Sequence, residues 1–242
     1  MHKFLRDTHK IGSFNVSAFS SLKEAVEYIF PESGERFFGA LIAVNAEKLV
    51  KSTISTEVIK NLGGKSIFYA DGYPVARILK SRGLASERIA GVELWEASIN
   101  RCFDLNRKIL LIGSSEDINK TVARLLCQRF PGIDVSRING FSAEDDIVEK
   151  VRKEKPDFIS VAMGSPRQEE LISRLMKIHP ATYMGVGGTY DVYSGAKKRA
   201  PKLLRNNGLE WLYRLGTNPT RILRYAPLAK FYLLWVCGRY NI

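Results

Sequence analysis

The sequence is poor in the groups from which metal centres and disulfide frameworks are made. Its 242 residues include only three cysteines and three histidines. Cys102, Cys127 and Cys237 are odd in number and far apart, so neither a disulfide framework nor a CxxC pair can be built from them. His2, His9 and His179 have no ligand spacing, and no DxD occurs, so no metal site and no cofactor are expected. Neither GxGxxG nor GxxxxGK[ST] is present, which removes the dinucleotide fingerprint and the P-loop. Long apolar runs are missing as well. The longest uncharged one near the C-terminus, 231–237, falls far short of the ~20 residues that span a bilayer. The first sixteen residues carry bases but no apolar h-region, so they do not read as a signal peptide, and a reducing cytoplasm is expected. No repeat, low-complexity tract or Pro/Gly/Ser-rich linker interrupts the chain. With 45% hydrophobic residues it can bury a substantial core, as one domain or as two lobes meeting near residue 106.

Acid is scarce in one place above all. From 196 to 242 ten lysines and arginines face the single acid Glu210, which puts nine of the chain's net +12 in its last fifth. Such a segment suits nucleic acid, an anionic membrane surface or a diphosphate. Trp211, Tyr213, Tyr225, Phe231, Tyr232 and Trp235 are interleaved with leucines and isoleucines, a mixture suited to the lipid headgroup boundary. The same residues also fit a C-terminal helical hairpin whose aromatics pack on the core while its bases are solvated. No RRM, KH or helix-turn-helix pattern supports specific nucleic-acid binding.

Short apolar runs alternate with helix-like periodicity: FGALIAVN (38–45), SIFYAD (66–71), KILLIGS (108–114), IDVSRI (133–138), DFISVAMG (157–164) and TYMGVGG (182–188). Runs of this kind are strands buried on both faces, and their alternation with helices predicts an α/β fold. That fold is a Rossmann-like parallel sheet with helices on both faces over 1–195, followed by a basic helical appendage over 196–242. In such sheets the chemistry sits beyond the carboxyl ends of the strands.

Three strand ends therefore carry the candidate residues. Asp71, followed by Gly72, is placed to accept a proton from a hydroxyl, or simply to make an Asx-turn with its neighbour. Gly164 closes a strand before Ser165, Pro166, Arg167 and Gln168, which read as a capping box with Ser165 at the cap and Pro166 at the first helical position. The same helix start also suits a phosphate. Gly185, Gly187 and Gly188 leave backbone bare for a ligand ahead of Asp191. By contrast LLIGSSEDINKT resembles a nucleotide loop only superficially, because Glu116 and Asp117 occupy the first helical turn and repel phosphate.

AVNAEKLV, YADG, ERIAGVELWE, VAMGSPRQEE, YMGVGGTYDVYSG, KRAPK, GLEWLYRL and PTRILR, in this order and spacing, resemble the WecG/TagA/CpsF family of bacterial glycosyltransferases from about Ile42 to the C-terminus. YMGVGGTYDV and GLEWLYRL are most similar to the branch that transfers N-acetylmannosaminuronic acid in enterobacterial common antigen synthesis.

The resemblance implies an inverting, metal-independent transfer of an N-acetylmannosaminuronic acid or N-acetylmannosamine from UDP to GlcNAc on undecaprenyl diphosphate. The enzyme would lie peripherally on the inner face of the cytoplasmic membrane. It implies Asp71 as base with Arg88 beside it as catalytic residues, and Asn45, Gly164, Gln168, Gly185, Gly187, Gly188 and Asp191 around the UDP-sugar donor. Arg199, Arg214, Arg221 and Arg224 would hold the polyprenyl-diphosphate acceptor at the membrane. Ala43 stands where many members have threonine two residues before the asparagine, so a hydroxyl contact is missing or replaced. A homo-oligomer is compatible with the sequence, and so is a nucleotide-sugar-binding regulator without catalysis, against which Asp71 speaks.

Overall fold

A computed structural model describes residues 8–51, 54–201, 203–204, 213, 216, 231, 233 and 237–238. In chain order the elements are β1 (Thr8–Ile11), β2 (Phe14–Ser17), α1 (Leu22–Ile29), β3 (Gly39–Val44), α2 (Ala46–Lys51), α3 (Thr56–Leu62), β4 (Ser66–Ala70), α4 (Tyr73–Ser81) and α5 (Gly91–Asp104). They continue with β5 (Ile109–Gly113), α6 (Glu116–Arg129), β6 (Val135–Ile138), α7 (Glu144–Glu154), β7 (Phe158–Ala162), α8 (Arg167–Leu175), β8 (Thr182–Gly185) and α9 (Thr189–Tyr193).

The strands form one sheet of order β1-β2-β4-β3-β8-β7-β5-β6. Every pairing is parallel except the β1–β2 hairpin at one edge. The sheet crosses residue 106 without a break: the strands before it make one half and those after it the other, joined where β8 pairs with both β3 and β7.

Alternation along each strand feeds two cores. Ile42 and Val44 of β3, Leu110 and Ile112 of β5 and Ile159 and Val161 of β7 face α2, α3, α4, α7 and α8. Leu41, Leu111 and Phe158 face the other way, onto α1, α5, α6 and α9. A strand buried on both faces needs an apolar residue at every position, which is why β5 reads ILLIG without a polar break. Each fully buried large aliphatic or aromatic side chain stabilises the fold by about 1.5–3 kcal/mol. The fold class is therefore α/β with a Rossmann-like parallel core and helices on both faces. The appendage lies mostly outside the described residues. Of its described residues, Phe231 is fully buried and joins the core of the α8 side. Among the described residues no helix is long and apolar enough to cross a membrane.

Two of the sequence readings change here. The β1–β2 hairpin was not expected. And α8 does not open with a capping box: its N-cap is Pro166, no side chain caps it, and its first turn starts from Gln168 N–H donating to the Gly164 carbonyl at 2.9 Å. Gln168 is instead turned inward, on the same buried face as Leu171, Ile172 and Leu175, where its amide finds better partners.

Candidate active site

Four neighbouring strands, β4, β3, β8 and β7, end beneath a cavity of about 530 Å³. That is the size range of small-molecule sites, and the location is the central crevice where doubly wound sheets bind ligands.

Asp71 leaves the end of β4, its own N–H donating to the Val44 carbonyl at 3.1 Å. Its carboxylate is not spent on a turn with Gly72. Oδ1 accepts the Gly91 N–H at 2.8 Å, across twenty residues, at the start of α5. Oδ2 has no partner among the described residues, and Asp71 lines the cavity. The helix end thus fixes one oxygen and leaves the other without a partner among the described residues. Arg88 lies behind this arrangement: its Nε donates to the Asp71 carbonyl at 2.7 Å, and its guanidinium sits 5.2 Å from the centre of the Tyr73 ring. It is not part of the cavity wall. Arg88 thus holds the Asp71 peptide in place.

Asn45, on the wall, caps α2 by accepting the Lys48 N–H at 2.9 Å. Gln168, Gly185, Gly187 and Gly188 also line the cavity, the first three as one packed unit. Gln168 Oε1 accepts the Gly187 N–H at 2.9 Å. A Cβ on Gly185 would stand 2.7 Å from Gln168 Nε2, so the bareness of Gly185 makes room for Gln168. Gly187 needs glycine for its φ of +51°. Gly164, with φ +74°, forms the turn after β7 and lies outside the wall.

Asp191 accepts both the Lys197 backbone N–H at 2.8 Å and its ammonium, folding the chain after α9 back over the cavity. This brings Lys198 and Arg199 to the wall. Arg199, placed by the sequence at the acceptor, is ion-paired at 2.7 Å with Glu93 in the first turn of α5, and its buried Nε has no partner. Arg214, Arg221 and Arg224 lie outside the described residues. Tyr213, between them and Arg199, does reach the wall.

Three contributors were missed in the sequence. The Lys48 ammonium, 8% exposed, donates to Glu169 Oε1 at 2.7 Å and to the Ala43 carbonyl at 2.8 Å; Glu169 is fully buried. The Tyr69 hydroxyl is buried without a partner. Burial, then the charges of Asp71 and Glu169, push its pKa well above the ordinary tyrosine range, so it stays a neutral donor. The apolar stripe of α8 was the available signal for Glu169, because extending Ile172 and Leu175 back one turn puts Gln168 and Glu169 on the buried face.

Among the described residues four cations line the cavity, and three are matched: Lys48 by Glu169, Lys197 by Asp191 and Arg199 by Glu93. Of these four, Lys198 has no carboxylate partner among the described residues. Among the same residues no cluster of three His, Cys, Asp or Glu is disposed to hold a metal ion. A carboxylate with one free oxygen, a neutral hydroxyl and a rim of cations suit deprotonation of a hydroxyl beside an anionic leaving group. The chain matches the sequence model of the Glycosyl transferase WecG/TagA/CpsF family over residues 9–241, so that the β1–β2 hairpin falls within the match almost entirely, and it belongs to that family of glycosyltransferases of surface-polysaccharide synthesis.

Proposed function

We propose that the cavity holds a UDP-linked N-acetylmannosaminuronic acid, or N-acetylmannosamine, and that Asp71 accepts the proton of the attacking acceptor hydroxyl in a single inverting displacement. The acceptor is GlcNAc on undecaprenyl diphosphate, presented at the inner face of the cytoplasmic membrane. One observation carries the reading: the Asp71 carboxylate is held through Oδ1 by the Gly91 N–H while Oδ2 remains open at the cavity. The O–H bond of the acceptor breaks as its oxygen attacks the anomeric carbon, Asp71 takes the proton, and UDP leaves with the electron pair of the old C–O bond.

The charge balance of the wall supports a role for the basic tail. With Lys48, Lys197 and Arg199 already matched, the charge that develops on UDP is met by Lys198 and by bases beyond residue 201. Arg214, Arg221 and Arg224 are assigned to the diphosphates in this reading, and the aromatics around them to the lipid surface. The leaving group is then neutralised by side chains, so EDTA is expected to leave turnover unchanged. Loss that returns with Mg²⁺ or Mn²⁺ overturns that part. The reading as a whole is tested by incubating the protein with UDP-N-acetylmannosaminuronic acid and, separately, UDP-N-acetylmannosamine, each with a short-chain GlcNAc-diphospholipid, and weighing the products. Transfer from either donor supports it and names the sugar; transfer from neither overturns it.

A further inference from the structure

Glu169 is out of contact with solvent, and one of its carboxylate oxygens, Oε2, has no hydrogen-bond partner. Leaving a charged acceptor half satisfied in a protein interior is costly, and replacing a buried ion pair with apolar side chains is often neutral or stabilising. The Lys48–Glu169 pair is therefore a poor device for stability alone. Its other oxygen, Oε1, does two things: it receives the Lys48 ammonium at 2.7 Å and the Gln168 Nε2 at 3.0 Å.

We propose that Glu169 is the positioning residue of the donor pocket: its carboxylate sets which way round the Gln168 amide lies, and through Gln168 it holds the Gly187 turn in its binding shape. The inference rests on the reading of this cavity as the nucleotide-sugar site. A side-chain amide can lie either way round, and its neighbours decide. An ionised carboxylate only accepts, so it admits only the Nε2 end of Gln168. The Oε1 end is then left facing Gly187, whose N–H donates to it at 2.9 Å. Reversed, the amide would set its oxygen against a carboxylate and its NH₂ against an N–H. Lys48 keeps the switch set, since it supplies the opposite charge to Glu169 from the far half of the sheet and is itself anchored on the Ala43 carbonyl at the end of β3. Three residues on the cavity wall, Lys48, Gln168 and Gly187, thus depend on one carboxylate behind it.

Two variants test this in the full-length protein. Glu169→Gln keeps the shape but lets either end of Gln168 face it. The double variant Lys48→Met/Glu169→Leu removes the pair without stranding a charge. Three quantities are measured: amide hydrogen exchange at Gly187 against Val161 and Met184 in the neighbouring strands, the melting temperature, and donor KM against kcat. Exchange at Gly187 is expected to speed up about tenfold, the size of one lost hydrogen bond of roughly 1.4 kcal/mol, while Val161 and Met184 stay protected. The double variant is expected to melt at or above the unmodified protein. Donor KM is expected to rise about tenfold with kcat changed much less. Gly187 protection unchanged in both variants overturns the proposal, as does loosening of Gly187 only together with the strands and a lower melting temperature. A free Gly187 with unchanged donor KM overturns the link to binding. If the unmodified protein transfers from neither donor, the functional reading fails, while the exchange data still decide what Glu169 positions.

Discussion

The carboxyl edge of this one sheet is built in two ways. Over β4, β3, β8 and β7 it is left unfinished: Asp71 Oδ2, the Tyr69 hydroxyl, Glu169 Oε2 and Arg199 Nε all lack partners among the described residues. Over β5 and β6 it is closed by its own side chains. Asn119 of α6, fully buried, donates through Nδ2 to the Gly113 carbonyl at 2.8 Å and the Ile138 carbonyl at 3.2 Å, although its own Oδ1 is left without a partner among the described residues. Gly113, at φ +109°, lies so close to β7 that a Cβ there would stand 2.5 Å from the Ala162 carbonyl oxygen. Gly140 packs against Gly113 and Ser114 in turn. Glu116 is held by Asn139 and Arg137. Two glycine-containing strand ends of similar appearance therefore differ in what fills the space that glycine leaves. At β5 backbone fills it, and at the end of β8 the Gln168 side chain does, on the wall of a cavity that the closed edge does not line.

The comparison breaks most sharply at Asp71. Asp71→Asn keeps a side chain that can accept the Gly91 N–H but removes the proton acceptor, and the expected loss of turnover is ~10²–10⁴-fold, the scale of general-base removal. Melting temperature and UDP affinity should stay near those of the unmodified protein. A variant with near-normal turnover removes Asp71 from the chemistry. Asn119→Ala is the counterpart on the closed edge. It strands the buried Gly113 carbonyl and the half-buried Ile138 carbonyl and leaves a cavity, for an expected cost of about 2–4 kcal/mol in chemical denaturation. The kcat of the folded fraction should not change.

Why the two edges could be told apart from sequence only in part follows from what their residues say locally. Glu116 and Asp117 in the first turn of α6 announce a helix end already supplied with negative charge, and the structure agrees: Ser115 caps α6 through the Ile118 N–H, and neither acid lines the cavity. Strands β3, β4, β5, β7 and β8 were equally legible, since a strand buried on both faces leaves a continuous apolar run; the opposite edge strand β6, half-buried throughout, was read from IDVSRI as well. The hairpin at the edge was not, because THKI and FNVS are four-residue strands with polar alternation and no such run. Its one signal was Gly12, whose φ of +60° suits the first central position of a two-residue hairpin turn between Ile11 and Phe14. At the site, single strand ends pointed to Asp71, but contacts between distant segments were invisible. Lys48 and Glu169 are 121 residues apart, and nothing in NAEK or RQEE announces the other. The same blindness hid why Gly185 is bare: Gln168 lies on it, while Gly185, Gly187 and Gly188 all line the cavity.

That last point is testable at Gly185 itself. Gly185→Ala puts a methyl 2.7 Å from Gln168 Nε2, and Gln168 is held at both ends, so it must move. Overpacking of this kind costs about 1–3 kcal/mol, and a donor KM higher by roughly tenfold is expected with Asp71 chemistry intact. Unchanged kinetics would mean that Gln168 does not shape the pocket.

The smallest effect is expected at Glu116, on the closed edge. Its carboxylate is exposed; hydrogen bonds from Asn139 and Arg137 hold its pKa below the ordinary glutamate value of 4.5, against an opposing effect of burial. A group depressed on folding contributes stability above its unfolded pKa and loses it as pH falls through the folded one, so the contribution of Glu116 is present at neutral pH and fades below about pH 4.5. Glu116→Gln removes the charge but keeps the shape. The acid limb of the stability profile should become slightly flatter, and added salt should shrink the difference between the two proteins, because the 2.6 Å contact with Arg137 is open to solvent. Transfer at neutral pH should remain within about twofold, as for surface changes away from a site. If turnover fell strongly instead, the acid at the start of α6 would belong to the chemistry, and the closed edge of the sheet would have to be read as a second part of the active site.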